Sequence, residues 1–191
     1  MARSAQEAQR FRDREARIID EAREIAESDG WGALTVRRLS DAIGVSQPIL
    51  YRHFPGGRDE IVEHVVIRGY ADLASVMRSP ARDASGRDEA LRLLVASYLA
   101  FAREHPAVYE AMASARTSIA FASSDTPAAL REGFGILEDA VGGTDDRDRA
   151  VRAELLWSLL HGASQLAAHD RLDAGLDDVR EGAIVALFRA P

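Results

Sequence analysis

Residues 34–61 contain two short helices separated by a tight turn. Thr35 is suited to cap a helix that continues to about Ile43, because its hydroxyl oxygen can accept a hydrogen bond from an unpaired backbone N–H group. Gly44 follows, and glycine readily adopts the left-handed conformation that ends a helix sharply. Two helices this close together can only pack across each other, so the pattern predicts a helix–turn–helix unit.

The second helix of this unit begins at Ser46, which can cap it, and has Pro48 in its first turn, where a missing N–H group costs little. Leu50 and Phe54 are four residues apart and therefore point to the same core. The side chains left on or near the outer surface are Gln47, Ile49, Tyr51, Arg52 and His53. A short helix with such a surface fits the major groove of DNA.

Two sequence motifs make this unit specific. The turn reads Gly44-Val45-Ser46, and the second helix reads Leu50-Tyr51-Arg52-His53-Phe54. Many unrelated helical hairpins share a bare helix–turn–helix pattern, but this turn followed by Tyr-x-His-Phe is specific. Over roughly residues 10 to 62 the chain thus resembles the N-terminal DNA-binding domain of TetR-type transcriptional repressors.

The resemblance implies a role for each exposed side chain of the second helix. Gln47 would hydrogen-bond a base edge, and Ile49 would touch a thymine methyl group. Tyr51 and His53 would contact phosphates, which fix the register without carrying sequence information. Arg52 could contact either a base or a phosphate.

Further phosphate contacts are implied outside that helix. Thr35 and Arg37 lie at the start of the preceding helix. The family places a lysine at the start of the following helix, beside a phosphate. This chain reads Phe54-Pro55-Gly56-Gly57-Arg58 there and is one residue longer. Arg58 is therefore the candidate for that phosphate contact. Solvated surface charge is the alternative for Arg37 and Arg58. The complete set of expected DNA contacts is Thr35, Arg37, Ser46, Gln47, Pro48, Ile49, Tyr51, Arg52, His53 and Arg58.

The distribution of charged residues permits DNA binding but supplies few basic groups for it. The net charge is −7, and all 24 basic residues are arginine. Residues 1–60 carry ten arginines and eleven acids, but the stretch from Ala42 to Arg58 has two arginines, one histidine and no acid. Few basic contacts are therefore available in each subunit, and tight binding would require a dimer.

The composition excludes several other classes of protein. The 191 residues include no cysteine, so there is neither a disulfide framework nor a thiolate metal site. No stretch approaches the ~20 apolar residues that cross a bilayer, and no secretory signal is present. We expect a cytoplasmic protein that needs no metal and no cofactor.

The remainder of the chain has apolar residues three and four apart, and no segment alternates with period two. This pattern predicts an all-α fold of about nine helices, with a three-helix head at residues 1–57 and a helical body at 58–191. The fourth helix connects the two. The expected helices are 6–28, 35–43, 46–54, 58–78, 85–104, a short one from Pro106, 126–142, 145–170 and 176–189, with an irregular loop at 114–126. Ser85 and Asp88 would form a capping box for the helix at 85–104, and Asp145 or Thr144 would cap the helix at 145–170.

The body contains a second motif, Trp157-Ser-Leu-Leu-His161-Gly162. It resembles the signature of the Trp-His-Gly subgroup of TetR C-terminal domains over about residues 85–190. Trp157 and His161 share a helix face, either as the wall of a ligand cavity or as a packed tryptophan beside a core histidine. The candidate cavity residues are Tyr98, Phe101, Met112, Phe134, Trp157 and His161. Such a lining favours a small apolar or aromatic effector.

The last two helices are candidates for a homodimer interface. Gly162 and Ala163 allow another helix to approach closely, and the final helix carries an apolar stripe of Val179, Ala183, Ile184 and Leu187. In TetR-like proteins the last two long helices usually pair with those of a second subunit, which gives a four-helix interface with two-fold symmetry.

The resulting hypothesis is a ligand-responsive transcriptional regulator that binds a palindromic operator as a dimer and represses transcription until an effector releases it. Two alternatives stay open. An enzyme is disfavoured because the five histidines form no metal-binding spacing and no nucleophile motif is present. A helical protein that associates through its body, with a head no longer used for DNA, is supported only by the near-neutral charge of the head.

Overall fold

The computed structural model describes residues 2–114 and 126–189 of the chain. In these two ranges the fold consists of helices and contains no strand, which confirms the all-α prediction. Two 3-10 turns, Trp31–Ala33 and Ala174–Leu176, precede the second and the last helix. The nine helices of the described residues are α1 (Ala2–Asp29), α2 (Val36–Ile43), α3 (Gln47–His53), α4 (Arg58–Arg82), α5 (Arg87–Glu104), α6 (Pro106–Ala113), α7 (Ala128–Val141), α8 (Asp146–Ala168) and α9 (Asp177–Phe188).

The helix ends follow local capping chemistry. The Thr35 hydroxyl accepts a hydrogen bond from the backbone N–H group of Arg38 at 3.1 Å, and Gly44 ends α2 with a φ of 70°. The Asp145 carboxylate accepts one from the backbone N–H group of Asp148 at 2.8 Å and so begins α8. These caps are the ones that the sequence predicts.

Three boundaries differ from expectation. α1 begins at Ala2 instead of near Gln6, and α4 continues to Arg82 instead of ending near Arg78. Before α5, the backbone N–H group of Ser85 donates to the Glu89 carboxylate at 2.8 Å, so Glu89 and not Asp88 closes the predicted capping box. Apart from its two end residues, the loop predicted at 114–126 lies outside the described residues.

The head and the body share one continuous hydrophobic core. The head contributes residues such as Ile18 of α1 and Leu50 of α3, and the body contributes residues such as Leu156 of α8 and Phe188 of α9. α4 connects the two, because it packs against α1 of the head and against α5, α6 and α7 of the body. A displacement of α4 therefore reaches both the head and the body.

Ion pairs reinforce the contact between α1 and α4. The Arg23 guanidinium lies 2.6 Å from the Asp72 carboxylate, and the Arg68 guanidinium lies 2.7 Å from that of Asp20. Both pairs are partly exposed, so their net contribution to stability is modest, on the order of 1 kcal/mol or less each. Their main effect is to fix how α1 lies along α4.

Candidate DNA-binding surface and ligand cavity

One side of α3 is exposed and the other is part of the core. Leu50 and Phe54 are at most 1% exposed, as the sequence predicts. The exposed side chains of α3 are Gln47, Pro48, Ile49, Tyr51 and Arg52. Ser46, which precedes them as the N-cap, is exposed as well, although its side chain makes no capping hydrogen bond. The predicted surface of α3 is therefore present, except at one position.

That position is His53, which was expected to be exposed and to contact phosphate but is only 6% exposed. It follows Leu50 by three residues and so lies on the core side of α3. The Phe11 ring of α1 covers it with a centroid separation of 4.0 Å, and the Glu15 carboxylate lies 3.8 Å from Nδ1. Nδ1 itself has no hydrogen-bond partner among the described residues. The expectation of a phosphate contact at His53 is wrong, because α1 lies over it.

Burial gives His53 an effect on stability that depends on pH. Desolvation lowers its pKa below the ordinary value of 6.5; Glu15 opposes this shift, whereas Arg14 and Arg52 add to it. The unfolded chain therefore binds the proton more readily than the folded one. The contribution of His53 to the free energy of unfolding is therefore fully present above about pH 6.5. It is lost as the pH falls from that value towards the lowered pKa.

When the pH is lowered from about 7.5 to about 5.5, we expect the free energy of unfolding to fall less for the His53→Phe protein than for the wild type. The reason is that the phenyl ring cannot take up a proton. Urea unfolding at several pH values measures the difference between the two proteins, in which the contribution of their common carboxylates cancels. Equal losses in both proteins would show that His53 does not titrate in this range.

Arg58 also differs from its expected role. Its Nε donates to the Leu34 carbonyl at 2.9 Å, and one terminal nitrogen donates to the Trp31 carbonyl at 2.9 Å. The guanidinium thus connects the start of α4 to the segment between α1 and α2, because that segment turns back over α4. Gly57, which precedes it with a φ of 64°, accommodates the extra residue of the turn. Two of the three guanidinium nitrogens of Arg58 are thus occupied by backbone carbonyls, and the third lies 3.4 Å from the exposed Asp59 carboxylate.

The two remaining backbone candidates lie at the start of α2. Thr35 is exposed, and its hydroxyl already caps the helix. The Arg37 side chain is 85% exposed, and its Nε lies 4.0 Å from the Asp41 carboxylate. A pair this exposed is weak, so Arg37 can leave it to bind a phosphate beside α3.

The body contains a cavity with two chambers. The larger chamber has a volume of about 600 Å³ and the smaller one about 240 Å³. Tyr70, Leu73, Tyr98 and Trp157 line both chambers, so the two are contiguous. The remaining residues of the larger chamber are Met77, Thr126, Leu130, Arg131, Gly133, Phe134, Leu137, Glu138 and Glu154, and those of the smaller one are Tyr109, Met112, Ala113, Ser114 and His161.

Five of the six predicted cavity residues line this space. Tyr98 and Trp157 border both chambers, Phe134 the larger, and Met112 and His161 the smaller. Phe101 lines neither chamber. Its ring packs edge-on against His105 with a centroid separation of 4.9 Å, because the chain turns there from α5 into α6. The expected position of Phe101 in the cavity wall is thus wrong.

The smaller chamber has a hydrogen-bonded polar wall. The Tyr98 and Tyr109 hydroxyls are 2.9 Å apart, and the Tyr109 hydroxyl is 3.0 Å from Nδ1 of His161. Burial raises the pKa of Tyr98 and Tyr109 and lowers the pKa of His161. All three groups are therefore neutral near pH 7. Tyr70 donates to the Met112 carbonyl at 2.9 Å, and burial raises its pKa to about 12.

α6 connects this chamber to the head. The Glu27 carboxylate of α1 accepts hydrogen bonds from the backbone N–H groups of Ala107 and Val108 at 3.0 and 3.1 Å. The Trp31 indole N–H group donates to the Ala107 carbonyl at 2.8 Å. The next residues of α6 include Tyr109, which lines the chamber. The first turn of α6 is thus held by the head, while its later residues lie in the cavity wall.

An apolar face runs along α8 and α9. On α8 the side chains of Val151, Leu155, Leu159 and Leu166 are exposed at helical spacing, and Leu155 is 55% exposed. On α9, Val179 and Leu187 are 68% and 66% exposed, whereas Ile184 is part of the core. Exposed apolar residues that form a continuous face typically mark a protein interface.

Both parts of the sequence match known families. Residues 18–65 match the profile of bacterial regulatory proteins of the tetR family, and residues 91–187 match that of the tetracyclin repressor-like C-terminal domain. The uncharacterized HTH-type transcriptional regulator YobS of Bacillus subtilis is 31% identical over 160 residues, which are 82% of this chain and 80% of that protein.

Solved structures share the fold. A protein of unknown function from Rhodococcus sp. RHA1 superimposes with a TM-score of 0.76 at 22% identity, over 91% of this chain and 92% of its own. A TetR-family transcriptional regulator from Pectobacterium atrosepticum does so with a TM-score of 0.70 at 18% identity, over 94% and 92%.

The matched families consist of transcriptional regulators and not of enzymes, which excludes the enzyme hypothesis. No helix of residues 2–114 or 126–189 is both long and apolar enough to span a membrane. The exposed face of α3 and the two matched profiles lead to one conclusion: the chain belongs to the TetR family of bacterial transcriptional regulators.

Proposed function

We propose that this protein is a cytoplasmic repressor that binds a palindromic operator as a homodimer and leaves it when a small apolar or aromatic effector enters the body. The observation that carries the proposal is the exposed face of α3, which presents five side chains on a helix anchored from behind by Leu50 and Phe54. Such a helix has the dimensions and the rigidity to read a major groove. We assign residues 1–57 to DNA binding and residues 58–191 to effector binding and dimerisation.

Within the head, we assign Gln47 and Ile49 to contacts with base edges. Arg52 is assigned to a base or a phosphate. Tyr51, Thr35 and Arg37 are assigned to phosphates, which position the helix without carrying sequence information. Ser46 and Pro48 place the start of α3 against the DNA. All of these residues are exposed.

Dimerisation is assigned to the apolar face of α8 and α9. A two-fold axis beside this face would pack the two helices of one subunit against those of the other and cover Leu155 and Leu187. The same axis would place two copies of α3 on one side of the dimer. Binding to successive major grooves requires the two recognition helices to lie about 34–36 Å apart.

Release from DNA is assigned to a change in that distance. An effector that binds more tightly to a state with a different separation of the heads lowers the affinity for the operator. Two connections are in place to transmit the change. α4 packs against both the head and the body, and the first turn of α6 is hydrogen-bonded to Glu27 and Trp31.

Arg52→Ala tests the assignment of α3. We expect operator affinity to fall by roughly tenfold and the dependence of binding on salt to become weaker, because each subunit loses one cation beside the DNA. Fluorescence anisotropy on a labelled operator duplex, repeated at several salt concentrations, measures both quantities.

Arg92→Ala is the matched control, because Arg92 is an exposed arginine of α5 in the body. It should leave affinity and salt dependence unchanged. An Arg52→Ala protein with wild-type affinity and wild-type salt dependence would contradict the assignment of Arg52 to DNA contact.

A further inference from the structure

The two chambers of the body cavity differ in how their polar groups are arranged. Leu73, Met77, Leu130, Phe134 and Leu137 give the larger chamber an apolar wall. The smaller chamber ends at the hydrogen-bonded hydroxyls of Tyr98 and Tyr109 and the imidazole of His161. The chambers adjoin at Tyr70, Leu73, Tyr98 and Trp157, so a ligand that occupies both passes between these side chains.

The polar wall can offer either a donor or an acceptor to such a ligand. If Tyr109 donates to Nδ1 of His161, then Tyr98 donates to Tyr109, and the Tyr98 oxygen, which the Trp157 indole already contacts, keeps one further lone pair to accept. If Nδ1 carries the proton, both hydroxyls turn the other way, and Tyr98 has an O–H group to give. Tyr98 borders both chambers. Its hydroxyl, which can either donate or accept a hydrogen bond, is therefore placed to meet the polar head of a ligand.

Charge restricts the ligand further. The described residues that line the smaller chamber include no arginine, and the imidazole of His161 is the one basic group there. In the larger chamber Glu138 and Glu154 are acidic, and the Arg131 guanidinium donates to the backbone carbonyl of Thr126. Among the described residues, an anionic head in the smaller chamber would therefore meet no arginine, and its desolvation would be costly.

We propose that the cavity takes an uncharged ligand with an apolar body in the larger chamber and a hydroxyl or carbonyl head hydrogen-bonded to the Tyr98–Tyr109–His161 chain in the smaller chamber. The inference rests on the proposed function and narrows its effector from any apolar or aromatic molecule to neutral alcohols, phenols and ketones. Carboxylic acids of the same shape are discriminated against.

Three probes with the same body test the preference for the head group: 4-hexylphenol, 4-hexylbenzoate and hexylbenzene. Their binding to the full-length protein is measured by calorimetry at about pH 7.5, where the phenol is neutral and the benzoate is ionised. We expect the phenol to bind roughly tenfold more tightly than either of the other two, because it alone completes the hydrogen-bonded chain at no cost in charge. Benzoate binding as tight as phenol binding would overturn the proposal, and so would an absence of binding by all three probes.

Tyr98→Phe and Tyr109→Phe test whether the hydroxyl chain is responsible, because each variant removes one oxygen atom and keeps the ring. Each should bring phenol affinity to within about threefold of hexylbenzene affinity while leaving hexylbenzene affinity unchanged. His161→Gln should also reduce the preference for phenol. His169→Gln is its matched control, because His169 is an exposed histidine at the end of the same helix. A preference for phenol that survives both tyrosine substitutions would overturn the assignment.

Operator binding, measured in the absence of any probe, separates this inference from the proposed function. Normal operator binding together with no preference for phenol would contradict the ligand class alone. A protein that selects the phenol but binds no operator would contradict the proposed function and leave the ligand class standing.

Discussion

Leu155→Glu is expected to convert the proposed dimer into a monomer and to weaken operator binding by roughly 10²–10⁴-fold, the gain that a second linked binding site typically provides. Leu155 is more than half exposed and lies at the centre of the apolar stripe of α8, between Val151 and Leu159. A two-fold axis beside this stripe would bring the two new carboxylates close to each other in a desolvated interface. Two unpaired charges of the same sign would prevent the helices from packing.

Sedimentation equilibrium measures the mass of the Leu155→Glu protein, and anisotropy measures its affinity for the operator. Val76→Glu is the matched control. It also replaces an exposed apolar residue with an acid, but Val76 lies on α4, away from the face of α8 and α9. The control should remain dimeric. A dimeric Leu155→Glu protein with wild-type affinity would place the interface elsewhere on the molecule.

Phe54→Ala is expected to lower the free energy of unfolding by about 3–5 kcal/mol, the range for removing a buried phenyl ring. Phe54 is 1% exposed and closes the end of α3. Its ring packs edge-on against His64 of α4, with a centroid separation of 5.3 Å. Because the core is continuous from the head to the body, the loss should appear in a single unfolding transition and should reduce operator binding as well.

Urea unfolding of the wild type and the variant measures this loss. Phe11→Ala is a useful comparison, because Phe11 is 39% exposed and should cost less, about 2 kcal/mol or below. A Phe54→Ala protein that loses no more stability than Phe11→Ala would contradict the view that Phe54 joins α3 to the shared core.

Local chemistry made the helices predictable. The caps at Thr35, Gly44 and Asp145 depend on residues within one turn of the chain, and the structure has each of them where the sequence indicates. The inner side of α3 was predictable for the same reason, since Leu50 and Phe54 are separated by one helical turn.

The residues that were misplaced depend on distant neighbours. His53 follows Leu50 by three residues, so periodicity already indicates its inward direction, but the spacing does not reveal that Phe11, far earlier in the chain, lies over its ring. Arg58 turns inward because the carbonyls of Trp31 and Leu34 are brought within its reach. Helical periodicity gives the direction of a side chain from its own helix, but it contains no information on which other segment covers that direction.

The polar wall of the cavity shows the same limit. Tyr98, Tyr109 and His161 belong to α5, α6 and α8, and the last two are 52 residues apart in the chain. His161 stood out in the sequence because it shares a motif with Trp157. Tyr109 did not, since no spacing rule connects residues on three different helices, and the structure was needed to find its hydroxyl at the centre of the chain.

The decisive measurement is the selection of bound sequences from a random pool of duplex DNA with the purified protein at moderate salt. A dimeric regulator that reads DNA with α3 predicts enrichment of a palindrome whose half-sites lie about one helical turn apart. Failure of the folded, helical protein to enrich any sequence would contradict the account.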